Sequence, residues 1–447
     1  MHGKNADKAS VIVIGGGLVG SLCACLMAQR GYRVTLYEKR EDIRRTRANQ
    51  GRSINLALSH RGRKALRLIG IEANILKNAI PMSARFLHNE FGSSTIMPYD
   101  PTSKQCIYSV GRNALNCALL TEAESRFNVD VKFNQKLVGV DFGKGAVTVQ
   151  CTVTNTTLTV SADFIMGADG AFSTLRLFLQ KCPLFDFSQY FIDHGYLELS
   201  VPAERGDGLV NNHLHIWPRG EFMMIALPNQ DHSWTVTLFM PFKQFAAINS
   251  REKLLRFFRS RFPDALPLIG ARELEEVYFG NAPASLVSIK CGRFHIGDKF
   301  LIIGDAAHAM VPFFGQGMNA GFEDCTLLDE LLNHTKGNLA ETARLFSEMR
   351  LADAHAICDL AMYNYKEMRD LVTKRSFKLR KHLDQYLSKL MPHIWIPLYI
   401  SVSFTHMKYR ECLKNKQWQD KVLFVLLLST AGLMMLMCLA FAITFNH

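Results

Sequence analysis

The sequence has no Cys-x-x-Cys pair and no cluster of Cys with His, although it carries eleven cysteines. That absence excludes zinc ribbons and dithiol redox motifs, and an odd, unpatterned set argues against a disulfide framework. A reduced, cytosol-facing chain without structural metal is expected. The opening MHGKNADKAS is polar and lacks the apolar centre of a signal peptide. Internal repeats and low-complexity tracts are missing as well, which excludes solenoids and linker-rich designs. The net charge of +12 comes without a basic stripe interleaved with aromatics, so nucleic acid is not an expected partner. The basic residues gather instead in small groups, Arg44, Arg45 and Arg47, then Arg61, Arg63, Lys64 and Arg67.

One stretch lacks charge altogether. Val422 to Phe445 runs 24 residues without Asp, Glu, Lys or Arg, where about 20 suffice to cross a bilayer as a helix. Lys408, Arg410, Lys414, Lys416 and Lys421 stand just before it, as expected on the cytosolic side of an anchor. Residues 422–445 therefore read as a C-terminal transmembrane helix. The 447 residues leave room for two packed domains ahead of it.

Among what is present, VIVIGGGLVGSLCACLMAQRGYRVTLYEKRE carries the first chemical signal. A buried-strand run, Val11 to Ile14, leads into Gly15, Gly17 and Gly20 at G-x-G-x-x-G spacing. A helical segment, a second strand from Val34 to Tyr37 and then Glu38 follow. Gly15 permits the tight turn, Gly17 lets backbone approach a pyrophosphate at a helix N-terminus, and Gly20 allows helix and strand to pack closely. Glu38 is placed to accept from a ribose. The motif does not separate NAD from FAD by itself. No second strand-GxGxxG-helix unit occurs, which favours FAD as the resident cofactor. A late stretch, LIIGDAAHAMVPFFGQGMNAGFEDC, reads as a strand (Phe300 to Ile303), a tight turn at Gly304-Asp305 and a helix beginning near Gly317. Asp305 suits a ribose or ribityl hydroxyl, and the backbone N–H groups near Gly317 and Met318 can face a flavin ring. Pro312 stiffens the loop between them. His308 reads as a positioned structural histidine rather than a catalytic one.

Between these lies ADFIMGADGAFSTLR, with Asp169-Gly170 after another strand. The three motifs in this order resemble those of the FAD-dependent single-component aromatic hydroxylase family. The pattern G-D-A-A-H-x-x-x-P-x-x-G-x-G-x-N is matched at every fixed position from Gly304 to Asn319. Gly51 to Leu66, residues 213–229, PFFGQGMNAGFEDC and MYNYKEM extend the resemblance to the branch that hydroxylates L-kynurenine at ring position 3. That likeness covers nearly the whole chain through about Tyr409. It implies FAD, with NADPH and O₂ as co-substrates, a flavin C4a-hydroperoxide as oxygen donor, and an anchor in the mitochondrial outer membrane. The animal members continue past the anchor with a basic segment, whereas only Asn446 and His447 follow it here. An aniline ring already carries an activating amino group, so no catalytic base is assigned. For substrate the resemblance implies Arg85 as partner of the α-carboxylate, with Tyr99, Asn364 and Tyr399 in the same pocket. For FAD it implies Val19, Ala57, Arg112, Leu137 and Asn319 beside the motif residues, while Arg52 and Asp169 are placed to receive NADPH. A flavin epoxidase of the squalene type and a non-enzymatic flavin-binding membrane scaffold stay open as alternatives.

The expected fold is α/β: a Rossmann-type FAD-binding domain, a mixed β-sheet substrate domain, a helical C-terminal region and the transmembrane helix. Period-two alternation over roughly 190–245 supplies the substrate sheet. FAD-binding segments are expected at 1–80, 106–182 and 286–335, and substrate-domain segments at 81–105 and 183–285. The helical region should span 336–420.

Overall fold

The computed structural model describes residues 9–45, 55–90, 92–100 and 103–445. A six-stranded sheet holds the first core, in the order His295–Ile296, Phe300–Ile302, Phe164–Gly167, Ser10–Ile14, Arg33–Tyr37, Asp130–Lys132. All neighbours run parallel except the edge pair His295–Ile296 with Phe300–Ile302. Parallel strands are covered on both faces, so Val11 to Ile14 and Phe164–Gly167 are continuously apolar and buried rather than alternating. The helix Leu18–Gln29 packs on this sheet and is buried on nearly every side, Cys23 and Cys25 included. The helix Gly317–His334 packs against it.

A second sheet of seven strands follows the order Ala284–Cys291, Phe187–Val201, Trp234–Pro241, Phe222–Pro228, His213–Arg219, Ala84–His88, Ser94–Pro98. It is mixed, because His213–Arg219 pairs parallel with Ala84–His88 while the other neighbours are antiparallel. Ala84–His88 comes from early in the chain, and this one long-range pairing ties the two halves of the sheet together. One face of the sheet is covered by the helices Arg251–Arg261 and Ala271–Gly280 around Trp217, Trp234 and Phe258. The other face meets Phe313, Phe314 and the long helix Leu339–Arg369.

The chain ends in helices. Leu339–Arg369 leads to Arg375–Leu390, then Leu398–Phe404, then the 37-residue Tyr409–Phe445. The last begins inside the protein, with Tyr409 and Cys412 fully buried, and carries exposed apolar side chains between Phe424 and Met437, Leu427 at 68% exposure. Among the described residues it is the one helix long and apolar enough to cross a membrane.

Candidate functional site

A cavity of about 550 Å³ runs between the two sheets. One end is the dinucleotide loop. Gly15 has φ +105, and a Cβ there would lie 2.6 Å from Ala168 O. A Cβ on Gly20 would lie 1.9 Å from Gly15 O, so helix and loop touch only because both residues are glycine. Gly17 is different. It caps the helix Leu18–Gln29 in extended backbone, a Cβ there would meet nothing within 4 Å, and it lines the cavity with Val19. Space left open at a helix N-terminus is what a pyrophosphate needs.

Glu38 ends the second strand, buried, with both carboxylate oxygens already accepting from protein: Gly16 N–H at 2.7 Å, and Arg40 N–H and Nε at 2.9 and 2.8 Å. Burial alone would raise its pKa. The hydrogen bonds and charge of Arg40, with Gly16, outweigh that and hold it below the usual carboxylate range. Leu137 is a core residue, two positions beyond Gln135, whose N–H bonds Glu38 O at 2.8 Å. Asp169 turns its carboxylate to the start of the helix Thr174–Leu179. There it accepts from the Ser173 hydroxyl and from Thr174 and Leu175 N–H, and it does not line the cavity. Its role in the structure is a cap. Arg47 and Arg52 lie outside the described residues.

The middle of the cavity is the Gly304–Asn319 stretch. Asp305 and Arg112, which opens the helix Arg112–Ser125, both line this part of the cavity. Enclosure by protein raises the Asp305 pKa, opposed by His308 and Arg112. Pro312, Gly317 and Met318 line the wall, faced by Ala57. Asn319 sits behind it, fully buried. Its amide donates to Ala57 O and Gly315 O at 2.8 Å each and its oxygen accepts Ser59 N–H at 2.8 Å, which fixes the wall to the strand Asn55–Leu58. His308 Nε2 meets Asp324 Oδ2 at 2.7 Å, the oxygen that also accepts Gly304 N–H. This is a structural pair holding the Gly304 turn.

Sequence reading missed the network behind that turn. Arg350 reaches Asp324 at 2.7 Å and Glu323 at 2.7 Å, and Glu323 also pairs with buried Arg61. Arg61 continues to Val402 O and Met407 O and stacks over the Tyr409 ring at 4.1 Å. Tyr409 in turn donates its hydroxyl to Gln316 Oε1 at 3.1 Å, the residue just before the helix Gly317–His334. Adjacent acids at Glu323-Asp324 on a helix were the available signal, but their partners lie far away in sequence.

The far end of the cavity is apolar, lined by Leu214, Ile225, Phe239, Phe313 and Phe314, and carries one buried cation. Arg85 on the strand Ala84–His88 is 3% exposed, with its guanidinium 4.6 Å from the Tyr399 ring and 5.9 Å from the Tyr99 ring. Those two rings stack at 4.9 Å. Arg85 Nη1 holds Glu367 at 2.9 Å, while its Nε is buried with no partner among the described residues. Glu367 was not foreseen, although it stands three residues after Asn364 on one helix face. Lys381 lies in the same neighbourhood, its pKa pushed down to about 7 by burial and then by Arg85. Arg85 and Tyr399 line the cavity. Tyr99 backs Tyr399, and Asn364 sits behind the wall, donating to Phe313 O at 2.7 Å, its own Oδ1 without a partner among the described residues. Of the residues expected at the site, Gly17, Val19, Ala57, Arg85, Arg112, Asp305, Pro312, Gly317, Met318 and Tyr399 face the cavity. Gly15, Gly20, Tyr99, Asn319 and Asn364 support its walls.

The residues present fit FAD, since the open ground at Gly17 and the carboxylate of Asp305 are spanned by one continuous cavity. A family model described as an FAD binding domain matches residues 8–359. Among similar solved structures are the tetrameric form of 2-methyl-3-hydroxypyridine-5-carboxylic acid oxygenase, at TM-score 0.66 and 21% identity over 82% of this chain and 94% of that one, and Pseudomonas aeruginosa PqsL in complex with 2-aminobenzoylacetate, at TM-score 0.66 and 17% identity over 81% and 97%. At that identity they establish the fold. Closer in sequence is the kynurenine 3-monooxygenase of Anopheles gambiae, 55% identical over 94% of this chain and 87% of its own length. That of Sus scrofa is 46% identical over 95% and 90%, and that of Myxococcus xanthus 43% over 91% and 88%. With likeness of this extent across animals and bacteria, and the FAD-binding architecture intact, the chain belongs to the kynurenine 3-monooxygenase family of FAD-dependent monooxygenases.

Proposed function

We propose that the protein hydroxylates L-kynurenine at ring position 3, with FAD resident and NADPH and O₂ as co-substrates. The observation that carries the proposal is Arg85, a fully enclosed cation at the apolar end of the cavity with an unused buried N–H. A buried guanidinium favours a carboxylate-bearing ligand, and an apolar chamber favours a ring; an amino acid with an aromatic side chain has both. A squalene-like substrate offers nothing to Arg85.

Bound FAD supplies the oxygen-transfer chemistry. The chain's own residues do the rest. Gly17 and Val19 leave room for the phosphates, and Asp305 accepts from a hydroxyl of the cofactor's sugar chain. Arg112, across from Asp305, offers a cation to the same cofactor. Arg85 takes the substrate carboxylate, and Tyr399, backed by Tyr99, fixes the guanidinium plane. Asn364 acts at one remove, holding Phe313 O and so the wall against which the ring lies. Leu214, Ile225, Phe239 and Phe314 exclude water from the reacting end. No residue is given a proton-transfer role, because the ortho amino group of the substrate already makes the ring electron-rich. Glu38 and Leu137 belong to the nucleotide end of the proposal. Asp169, whose carboxylate is taken up by Ser173, Thr174 and Leu175, would act on NADPH only through the turn it stabilises.

The proposal extends to domain organisation, with the boundaries expected from the sequence, and to the membrane. Apolar side chains between Phe424 and Met437 are exposed where those of a core helix would be buried. It suits an anchor, with the mitochondrial outer membrane as the destination that family resemblance implies and the flavin domain on the cytosolic side. The test is direct: purified protein with FAD, NADPH, O₂ and L-kynurenine should consume NADPH and release hydroxylated kynurenine in step. NADPH loss that yields only H₂O₂, whatever amino acid is added, refutes the proposal.

A further inference from the structure

The helix Arg375–Leu390 buries none of its residues fully. Its apolar side chains nevertheless fall on one line. Leu379, Leu383, Tyr386 and Leu390 are spaced four, three and four apart, which places them on a single stripe of an α-helix. They are 72%, 38%, 61% and 59% exposed. The opposite side of the helix faces the protein. There Phe377 packs on the core, and Asp384 accepts from Arg380 and from Trp395 Nε1 at 2.9 Å. Asp384 is the one acid on the helix. Beside the apolar stripe runs a second line of exposed groups, Arg375, Lys378, His382 and Lys389. The apolar surface continues past the helix through Met391 and Ile394, both exposed. Apolar outward, basic along the flank and acid only inward is the pattern of a helix lying at a lipid surface.

Its position relative to the C-terminal helix fits. Arg380 Nη1 holds Asp420 at 2.8 Å, and Trp395 packs against Trp418 at 5.6 Å between ring centres. Asp420 stands two residues before the uncharged run begins at Val422, about 3 Å along a helix axis. Trp418, 43% exposed, and Lys421 stand at the same level, as side chains at a membrane–water boundary do.

We propose that the outward face of the helix Arg375–Leu390 lies in the headgroup layer of an anionic bilayer, as a second membrane contact beside the C-terminal helix. The proposal rests on the reading of Tyr409–Phe445 as an anchor. Two membrane contacts fix the orientation of the flavin domain over the bilayer, which a single spanning helix does not. The basic flank makes the contact stronger on anionic lipid.

The test uses the full chain reconstituted with FAD into vesicles of phosphatidylcholine, with or without phosphatidylserine. The photoreactive amino acid p-benzoylphenylalanine replaces either exposed Tyr386 or Leu428, and the masses of the adducts are read after illumination. Lipid adducts at both positions are expected, with the yield at 386 rising several-fold when phosphatidylserine is present. Leu383→Glu should cut the adduct at 386 several-fold and leave that at 428 unchanged. Lipid adducts at 428 alone, or adducts at 386 to a second copy of the chain, overturn the proposal and leave the anchor standing. Lipid adducts at 386 without any at 428 overturn the anchor, and with it the proposal of a second contact beside it. No lipid adduct at either position overturns both.

Discussion

Replacing Arg85 by Ala separates the substrate end of the cavity from the cofactor end. Two effects combine. The substrate carboxylate loses its cation, and Glu367, 14% exposed and paired to Arg85 at 2.9 Å, is left enclosed without a partner. Breaking a buried ion pair from one side costs about 3–5 kcal/mol of stability. Losing a desolvated charge pair with the ligand costs about 3–4 kcal/mol of affinity, or about 10²–10³ in Kd. The two are distinguished by Arg85→Ala combined with Glu367→Gln, which removes the stranded charge. That double variant should recover most of the lost stability and none of the lost affinity. Arg85→Lys keeps the charge but not the planar fork over Tyr399, so its affinity should fall between the two. Kynurenine titration followed by the flavin spectrum measures affinity, and the absorbance of released flavin measures FAD content. FAD should stay at full occupancy in all three, because Gly17 and Asp305 are untouched. A double variant that is stably folded with FAD bound, yet binds kynurenine within about threefold of the unaltered chain, refutes the assignment.

Four further outcomes follow from the structure. Gly20→Ala should fail to yield folded protein, since its Cβ would sit 1.9 Å from Gly15 O. Gly17→Ala, with open space around its Cβ, should fold with apo-stability changed by less than about 1 kcal/mol, yet lose FAD readily on dialysis. Tyr409→Phe strips Gln316 of a buried donor and should cost about 1–3 kcal/mol in chemical denaturation, with faster loss of flavin. His215 is held neutral in the fold, its pKa pushed down to about 3 by burial. The unfolded chain takes up that proton below about pH 6.5, so this group removes about 1.4 kcal/mol of stability per pH unit as pH falls from there toward 3. His215→Gln should flatten the stability profile in that window, and an unchanged slope would count against the buried neutral state.

The cofactor end was legible in the sequence because its constraints are local. The spacing of Gly15, Gly17 and Gly20, and that of Gly304 through Asn319, is imposed by turns whose residues are neighbours in the chain. Side chains facing the cavity from single strands, such as Ala57 and Arg85, were reached through resemblance rather than pattern. Nothing local marks Glu367 as the partner of Arg85, 282 residues away, or Arg61 as the partner of Glu323. Parallel pairing of Ala84–His88 with His213–Arg219 is equally silent, because register there is set by the assembled sheet. Asn364, Asn319 and Asp169 show a subtler gap. Each belongs to a motif, yet each acts in the structure by holding backbone, and polarity alone does not tell a ligand contact from a brace.

Arg61 and Gln316 both wait on the segment from Val402 to Tyr409. A chain growing from its N-terminus will have made the whole dinucleotide loop, both sheets and the Gly304 turn before those partners exist. Without them Arg61 keeps only Glu323 of the partners described above, and Gln316 loses the Tyr409 hydroxyl. The brace behind the flavin wall is therefore completed only when the last helices of the chain are in place.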